Sequence, residues 1–205
     1  MKRVGRRYGF MIGTGIGSIG AVSAALSIIY FNFTFFCLSI FCLGILSGFA
    51  QLYRFAAADV ATKEFRTKAV SLVMFGGIVA GFIGPTVASK AKDLIPNAQF
   101  AGSYLFVILF HFLIFSILLR TRLPRPSAVE QKGETRPLKE IFSQPKFIVA
   151  ALSSMVGYGV MAMIMTATPL AMTEGSGHPF SDAAFVIQWH VVGMFAPSVF
   201  TGSLI

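Results

Sequence analysis

Eight carboxylates are the natural place to look for acid–base chemistry: Asp59, Glu64, Asp93, Glu130, Glu134, Glu140, Glu174 and Asp182. Two acids can split the roles of proton donor and acceptor only if they converge in one site. Here every acid falls between the apolar stretches or at their ends. That disfavours a relay of buried Asp or Glu, and aspartyl-type intramembrane proteolysis. The sequence contains no HExxH, no GxxxxGK[ST] and no GxSxG. Those are the spacings for zinc hydrolysis, nucleotide binding and serine nucleophiles. Cys37 and Cys42 lie five apart on different faces of a helix, and no His or Cys cluster completes a metal site. Both cysteines are expected buried and reduced, and neither a metal nor a cofactor is expected.

The remaining polar residues point to recognition instead of bond-making. Gln51 and Arg54 are three apart, a spacing that shares a helix face. Arg54 fits an anion-binding or gating role in a cavity, or that of a snorkelling anchor. Tyr158, Met161, Met165 and Thr168, with Met172, also fall on one helical face. Methionine is adaptable and suits a binding surface, although a packed or lipid-facing stripe has the same spacing. Gln188, Trp189 and His190 are adjacent, so at least one must point at a cavity or a neighbouring helix. Histidine titrates near neutral pH, which suits a ligand site or a proton-sensitive gate, with plain packing as the alternative. His111 reads as a hydrogen-bonded structural residue.

The elements that must hold these residues follow from composition. Of 205 residues, 55% are hydrophobic and 12% charged, with 22 Phe, and the mean hydropathy is +0.75. Ordinary globular chains are roughly 45–50% apolar and about 25% charged. A soluble fold this size could not hide so much apolar surface. A spanning helix needs about 20 apolar residues. That ruler predicts six spans, near 9–30, 33–53, 69–89, 101–119, 147–172 and 183–205, the second running on toward Ala61. The fold class is an all-α polytopic transmembrane bundle.

The net charge of +9 would raise nucleic acid as a partner in a soluble protein. Its placement argues otherwise. Fifteen of the 17 basic residues fall in the N-terminal flank, the segment after the second span, and the long break at 120–146. Only Lys90 and Lys92 lie on the other side. Basic loops stay cytoplasmic. The expected location is the inner or plasma membrane, with the N-terminus and the 120–146 loop in the cytoplasm. An N-terminal signal peptide is the competing reading of MKRVGRRYGF. The apolar run after it is longer than a usual signal core, and five spans follow.

Two small-residue stripes mark close helix approaches. The first is Gly9, Gly13, Gly17, Ala21 and Ala25, read as packing within the chain, with a dimer seam as alternative. The second is Gly76, Ala80 and Gly84, ending in Pro85. Gly84 and Pro85 together make a bend, either for a moving helix or as a static kink.

Taken in order, several motifs resemble the major facilitator superfamily of secondary transporters. RVGRR at 3–7, with Gly5, Arg6 and Arg7, looks like the second half of the family's cytoplasmic GxLxDRxGRR, with Lys2 where the Asp would stand. GSLI at 202–205 looks like the start of the equivalent motif in the other half. LGILSG at 43–48 resembles the Gly-rich fourth helix, although Ile40 stands where the family often has Arg. RTKA resembles the entry to the fifth helix through Arg66. Gly76 to Pro85 resembles the antiporter signature GxxxGP in degraded form, with Ala80 for a Gly.

The resemblance implies helices three to eight of a twelve-helix, two-bundle fold that rocks around a midplane site. It divides the chain into 1–119 in the N-terminal bundle, a 120–146 linker, and 147–205 opening the C-terminal bundle. It implies that the spans carrying Gln51, Arg54, Tyr158, Met161, Met165 and Thr168 line the cavity, with Gln188, Trp189 and His190 nearby. It also implies that Asp59 pairs with Arg6 or Arg7 as an inward-side latch.

The expected function is alternating-access transport of a small solute in the lipid bilayer. The expected driver is protons, with efflux by antiport favoured over uptake. The rivals are a non-transport six-span protein (an assembly partner or small channel) and an inactive transporter fragment. An enzyme and a nucleic-acid partner are not expected.

Overall fold

The computed structural model describes residues 5–121, 123 and 137–204, with side chains to residue 200. Most of the 120–146 linker, Arg3 and Val4 of the first motif, and the side chains of GSLI therefore lie outside the described residues. Eight α-helices occur among the described residues. They are α1 (Arg6–Ile29), α2 (Phe33–Ala50), α3 (Tyr53–Val60), α4 (Arg66–Ala91), α5 (Ala101–Arg120), α6 (Leu138–Phe142), α7 (Pro145–Leu170) and α8 (Phe180–Leu204). A 3-10 turn, Lys63–Phe65, leads into α4, and a π-helical turn, Ala171–Gly175, extends α7. Six segments are long and apolar enough to cross a membrane: Arg6–Ile29, Phe33–Val60, Lys63–Ala91, Ala101–Arg120, Pro145–Gly175 and Phe180–Phe200. The architecture is the expected all-α bundle.

Contacts divide the chain into two compact units, 1–126 with 188–205, and 127–187. In the first unit α1 is the central helix and packs on both α2 and α5. The small-residue stripe explains why. Gly9, Gly13, Gly17, Ala21 and Ala25 are all buried. A Cβ on Gly13 would strike the Phe49 ring 2.7 Å away, and one on Gly17 would run into Leu46. The stripe is thus used for packing within the chain. At the basic end, Phe10, Ala56 and Leu118 form a core from three helices, and the Phe10 and Tyr53 rings lie 4.5 Å apart.

The second stripe is not the packed face. Gly76 and Gly84 have nothing within 4 Å of a built Cβ. The adjoining pair does the packing: a Cβ at Gly77 would meet the Phe195 ring at 2.6 Å, and one at Gly81 would meet Val191 at 2.8 Å. One residue of offset turns the face by about 100° on a 3.6-residue helix. Phe82 and Trp189 stack edge-on at 6.0 Å along the same seam. Pro85 lies inside an uninterrupted α4.

Three further expectations need correction. Gln51 and Arg54 do not share one regular helix. Gln51 ends α2 and Leu52 precedes α3, because the Leu52 N–H bonds to Phe49 O, three residues back, and tightens the turn. Gln51 is left exposed while Arg54 is half-buried. The third span begins at Lys63, not near 69, because its basic first turn is helical too. Cys37 is exposed and Cys42 half-buried, both free thiols. A thiol on a span needs no protein cover, since hydrocarbon already desolvates it.

In the second unit, Pro145 opens α7 at a position where its missing N–H is not needed. Pro169 near the other end removes a helical donor, and the helix widens into the π-helical turn just beyond it. The Thr173 hydroxyl donates to Pro169 O at 2.9 Å, which takes up one of the last-turn carbonyls.

Candidate functional site

The motif residues meet at the basic end of the first unit. Gly5 sits before α1 at φ 85°, a left-handed backbone that only glycine adopts without strain. It brings Arg6 and Arg7 in over the ends of two other helices. Arg6 forms an ion pair with Asp59, near the end of α3, and donates to Phe55 O at 3.4 Å. Arg7 donates through Nε to Leu118 O at 2.9 Å and through its terminal nitrogen to Leu119 O. Those are last-turn carbonyls of α5, which lack helical donors and carry the negative end of the helix dipole. Two consecutive arginines thus fasten α1 to α3 and α5. Arg66 opens α4, is exposed, and has no ion-pair partner among the described residues.

The Arg6–Asp59 pair is about a third to a half exposed. Pairs of that kind contribute about 0–1 kcal/mol. Asp59→Asn should therefore change thermal stability by less than about 1 kcal/mol, and a double-mutant cycle with Arg6→Gln should give a coupling in that range. A larger coupling would make the pair a structural clasp.

Below these arginines lies an apolar cavity of about 330 Å³, walled by Phe10, Tyr53, Ala56, Ile114, Leu118 and Leu123. It holds no acid or base.

The cavity candidates are positioned differently. Arg54 is half-buried, its Nε is shielded from solvent with no hydrogen-bond partner, and its guanidinium lies 5.1 Å from the Phe55 ring centre. His190 is half-buried, and its Nε2 is likewise buried and unpartnered. Gln188 is half-buried, and Trp189 is exposed while its ring meets Phe82 edge-on. In the second unit, Met161, Met165 and Thr168 are half-buried, with Pro169, on an otherwise exposed helix, and Tyr158 is exposed. His111 is buried as expected, but its Nδ1 has no hydrogen-bond partner. The expected hydrogen bond is absent because its neighbours on α5 are apolar and their backbone groups are used by the helix.

Polar atoms left unpaired inside a span cost free energy, so they persist mainly where a ligand or water completes them. Arg54 and His190 supply N–H donors or a basic nitrogen in such a setting. Neither Arg54 nor His190 lines the cavities at the two ends of the first unit. Among the described residues no three His, Cys, Asp or Glu side chains could hold a metal ion.

The sequence missed one feature: the cavity beside Phe31 and Asn97, at the end of the first unit away from Arg6 and Arg7. Its walls come from two loops far apart in the chain, and only the backbone geometry joins them.

Comparison with known proteins supplies the identity. The family model of the Major Facilitator Superfamily matches residues 1–205. The chain is 42% identical to the riboflavin transporter RfnT of Brucella anthropi, over 100% of this chain and 52% of that protein. It is 28% identical to the uncharacterized MFS-type transporter YdeG of Bacillus subtilis, over 100% of this chain and 50% of that protein. The chain thus spans about half the length of the curated relatives it matches. No solved structure matches it. The match over every residue, the 42% identity and the six apolar spans agree: the chain is a multi-pass membrane protein, not an enzyme, and belongs to the Major Facilitator Superfamily.

Proposed function

We propose that the chain is part of an alternating-access transporter for riboflavin or a closely similar flavin. The 42% identity to a riboflavin transporter, sustained over the whole chain, carries this reading. The unpaired donors of Arg54 and the polar edge of Gln188 and His190 are suited to the carbonyl and imide groups of a flavin ring. Residues 1–119 belong to one bundle and 147–205 to the other, joined by the 120–146 linker. Arg6 and Asp59 then act as a latch on the cytoplasmic side. That side is assigned from the distribution of basic residues, in a cell membrane. Coupling is to protons. Gly76 to Pro85 favours antiport, hence efflux, although the packed pair in that helix is Gly77 and Gly81.

The test is flux in both directions. The complete gene is expressed in a riboflavin-auxotrophic bacterium that lacks its own transporter. Release of tritiated riboflavin from preloaded cells should exceed the empty-vector rate and slow with a protonophore, while net accumulation from outside should fall below the vector and recover with the protonophore. Vector-level flux in both directions would sink the riboflavin reading. Flux that survives the protonophore would remove the proton.

A further inference from the structure

At the end of the first unit opposite Arg6 and Arg7, the α1–α2 turn and the α4–α5 loop enclose an open cavity of about 760 Å³. Small-molecule sites usually measure roughly 300–1,000 Å³. Three rings, Phe31, Phe33 and Phe36, stand on one wall. Phe31 is 81% and Phe33 79% exposed. Interfacial belts are built from Trp and Tyr, whose rings carry a polar handle for the headgroup layer. Phenylalanine has no such handle, so these rings gain little from the headgroups. Phe31 is also held at φ 52°. A left-handed backbone is a genuine outlier for a bulky side chain, and such strain collects at ligand clamps.

Amides form the rim. Asn32 Oδ1 accepts the Phe35 N–H at 2.9 Å, which starts α2 and leaves the Asn32 NH2 as a donor. Gln99 Nε2 donates to Asp93 Oδ1 at 3.2 Å, which leaves the Gln99 carbonyl oxygen as an acceptor. The Asn97 side chain is exposed at the same rim and makes no hydrogen bond among the described residues. Rings to stack on and amides to pair with an edge together select a flat, hydrogen-bonding molecule, and the Asp93 carboxylate on the lining disfavours an anion.

We propose that this cavity is a second, peripheral binding site for a planar heteroaromatic solute, in which the Phe31 and Phe36 rings take its face and Asn97 its polar edge. The choice of solute rests on the transport reading above; the site itself rests on the cavity. It would collect solute before, or hold it after, passage through the central site.

The test uses the complete gene product in lipid nanodiscs and equilibrium dialysis with tritiated riboflavin. The wild type should bind two equivalents, and Phe31→Gly/Phe36→Leu should bind one. Glycine adopts φ 52° freely, so the turn survives this change. In an Arg54→Ala background, which disables the central site, one equivalent should remain, and Asn97→Ala should weaken it about tenfold, the loss of one hydrogen bond to the solute. The proposal is overturned if the Phe31→Gly/Phe36→Leu protein keeps the wild-type stoichiometry, or if the Arg54→Ala protein binds none. Binding at this site without any flux would refute the transport reading and leave the site standing.

Discussion

Arg54→Ala in the complete protein should lower the proposed riboflavin flux about a hundredfold in initial rate and change thermal stability by no more than about 1 kcal/mol, the worth of its contact with the Phe55 ring. The side chain is half-buried, its Nε has no partner, and its neighbour is the Phe55 ring. Removing a donor that bonds nothing in the protein takes no hydrogen bond from the fold. The loss appears only when solute is bound. A hydrogen bond from a charged donor is worth about 1.5–3 kcal/mol, and the upper end of that range is about a hundredfold in rate. Arg54→Lys should recover little, because an ammonium keeps the charge and loses the planar fork. Initial rates in proteoliposomes, read beside thermal unfolding, separate the two effects. Wild-type flux in Arg54→Ala would return this residue to the role of a snorkelling anchor.

Gly20→Val should destabilise the bundle by about 1–3 kcal/mol, the usual cost of overpacking. A Cβ at Gly20 would lie 2.9 Å from Ser39 O and 3.1 Å from Leu43 N, both backbone atoms of α2, and 2.9 Å from Cys42 Cβ. A flexible side chain could swing away. A backbone cannot, so α1 and α2 must separate along much of their contact. The van der Waals packing of close helices is what holds them together in lipid, where no hydrophobic drive remains. Gly15→Ala is the control, since its Cβ meets nothing within 4 Å. Thermal unfolding followed by circular dichroism in nanodiscs reads both. Equal transition temperatures for Gly20→Val and the wild type would show that this glycine does not set the helix approach.

The spans were legible because hydrocarbon imposes one rule along the whole segment: enough apolar residues in a row. The α1 stripe was legible for a related reason. Gly9, Gly13, Gly17, Ala21 and Ala25 recur every fourth residue on the helix that packs most extensively among those described in its unit. The α4 stripe misled because Gly76 and Gly77 stand side by side, and spacing cannot say which of two adjacent faces meets a partner. The face is chosen by Phe195 and Val191, more than a hundred residues away. Gln51 and Arg54 misled because helical spacing assumes a regular helix, and one tightened turn at Leu52 breaks it.

The sequence by itself determined the class: an all-α membrane bundle with six spans. Those properties are sums over residues, so order within a span hardly matters. Tertiary structure alone decided which groups meet. It chose Arg6 over Arg7 as the partner of Asp59 and set Arg7 on the end of α5. It left Nε of Arg54 and Nε2 of His190 buried without a partner. It also folded two distant loops into one aromatic and amide-lined cavity. Pairing depends on how rigid helices cross, and a crossing is fixed by contacts between residues that the chain itself keeps far apart.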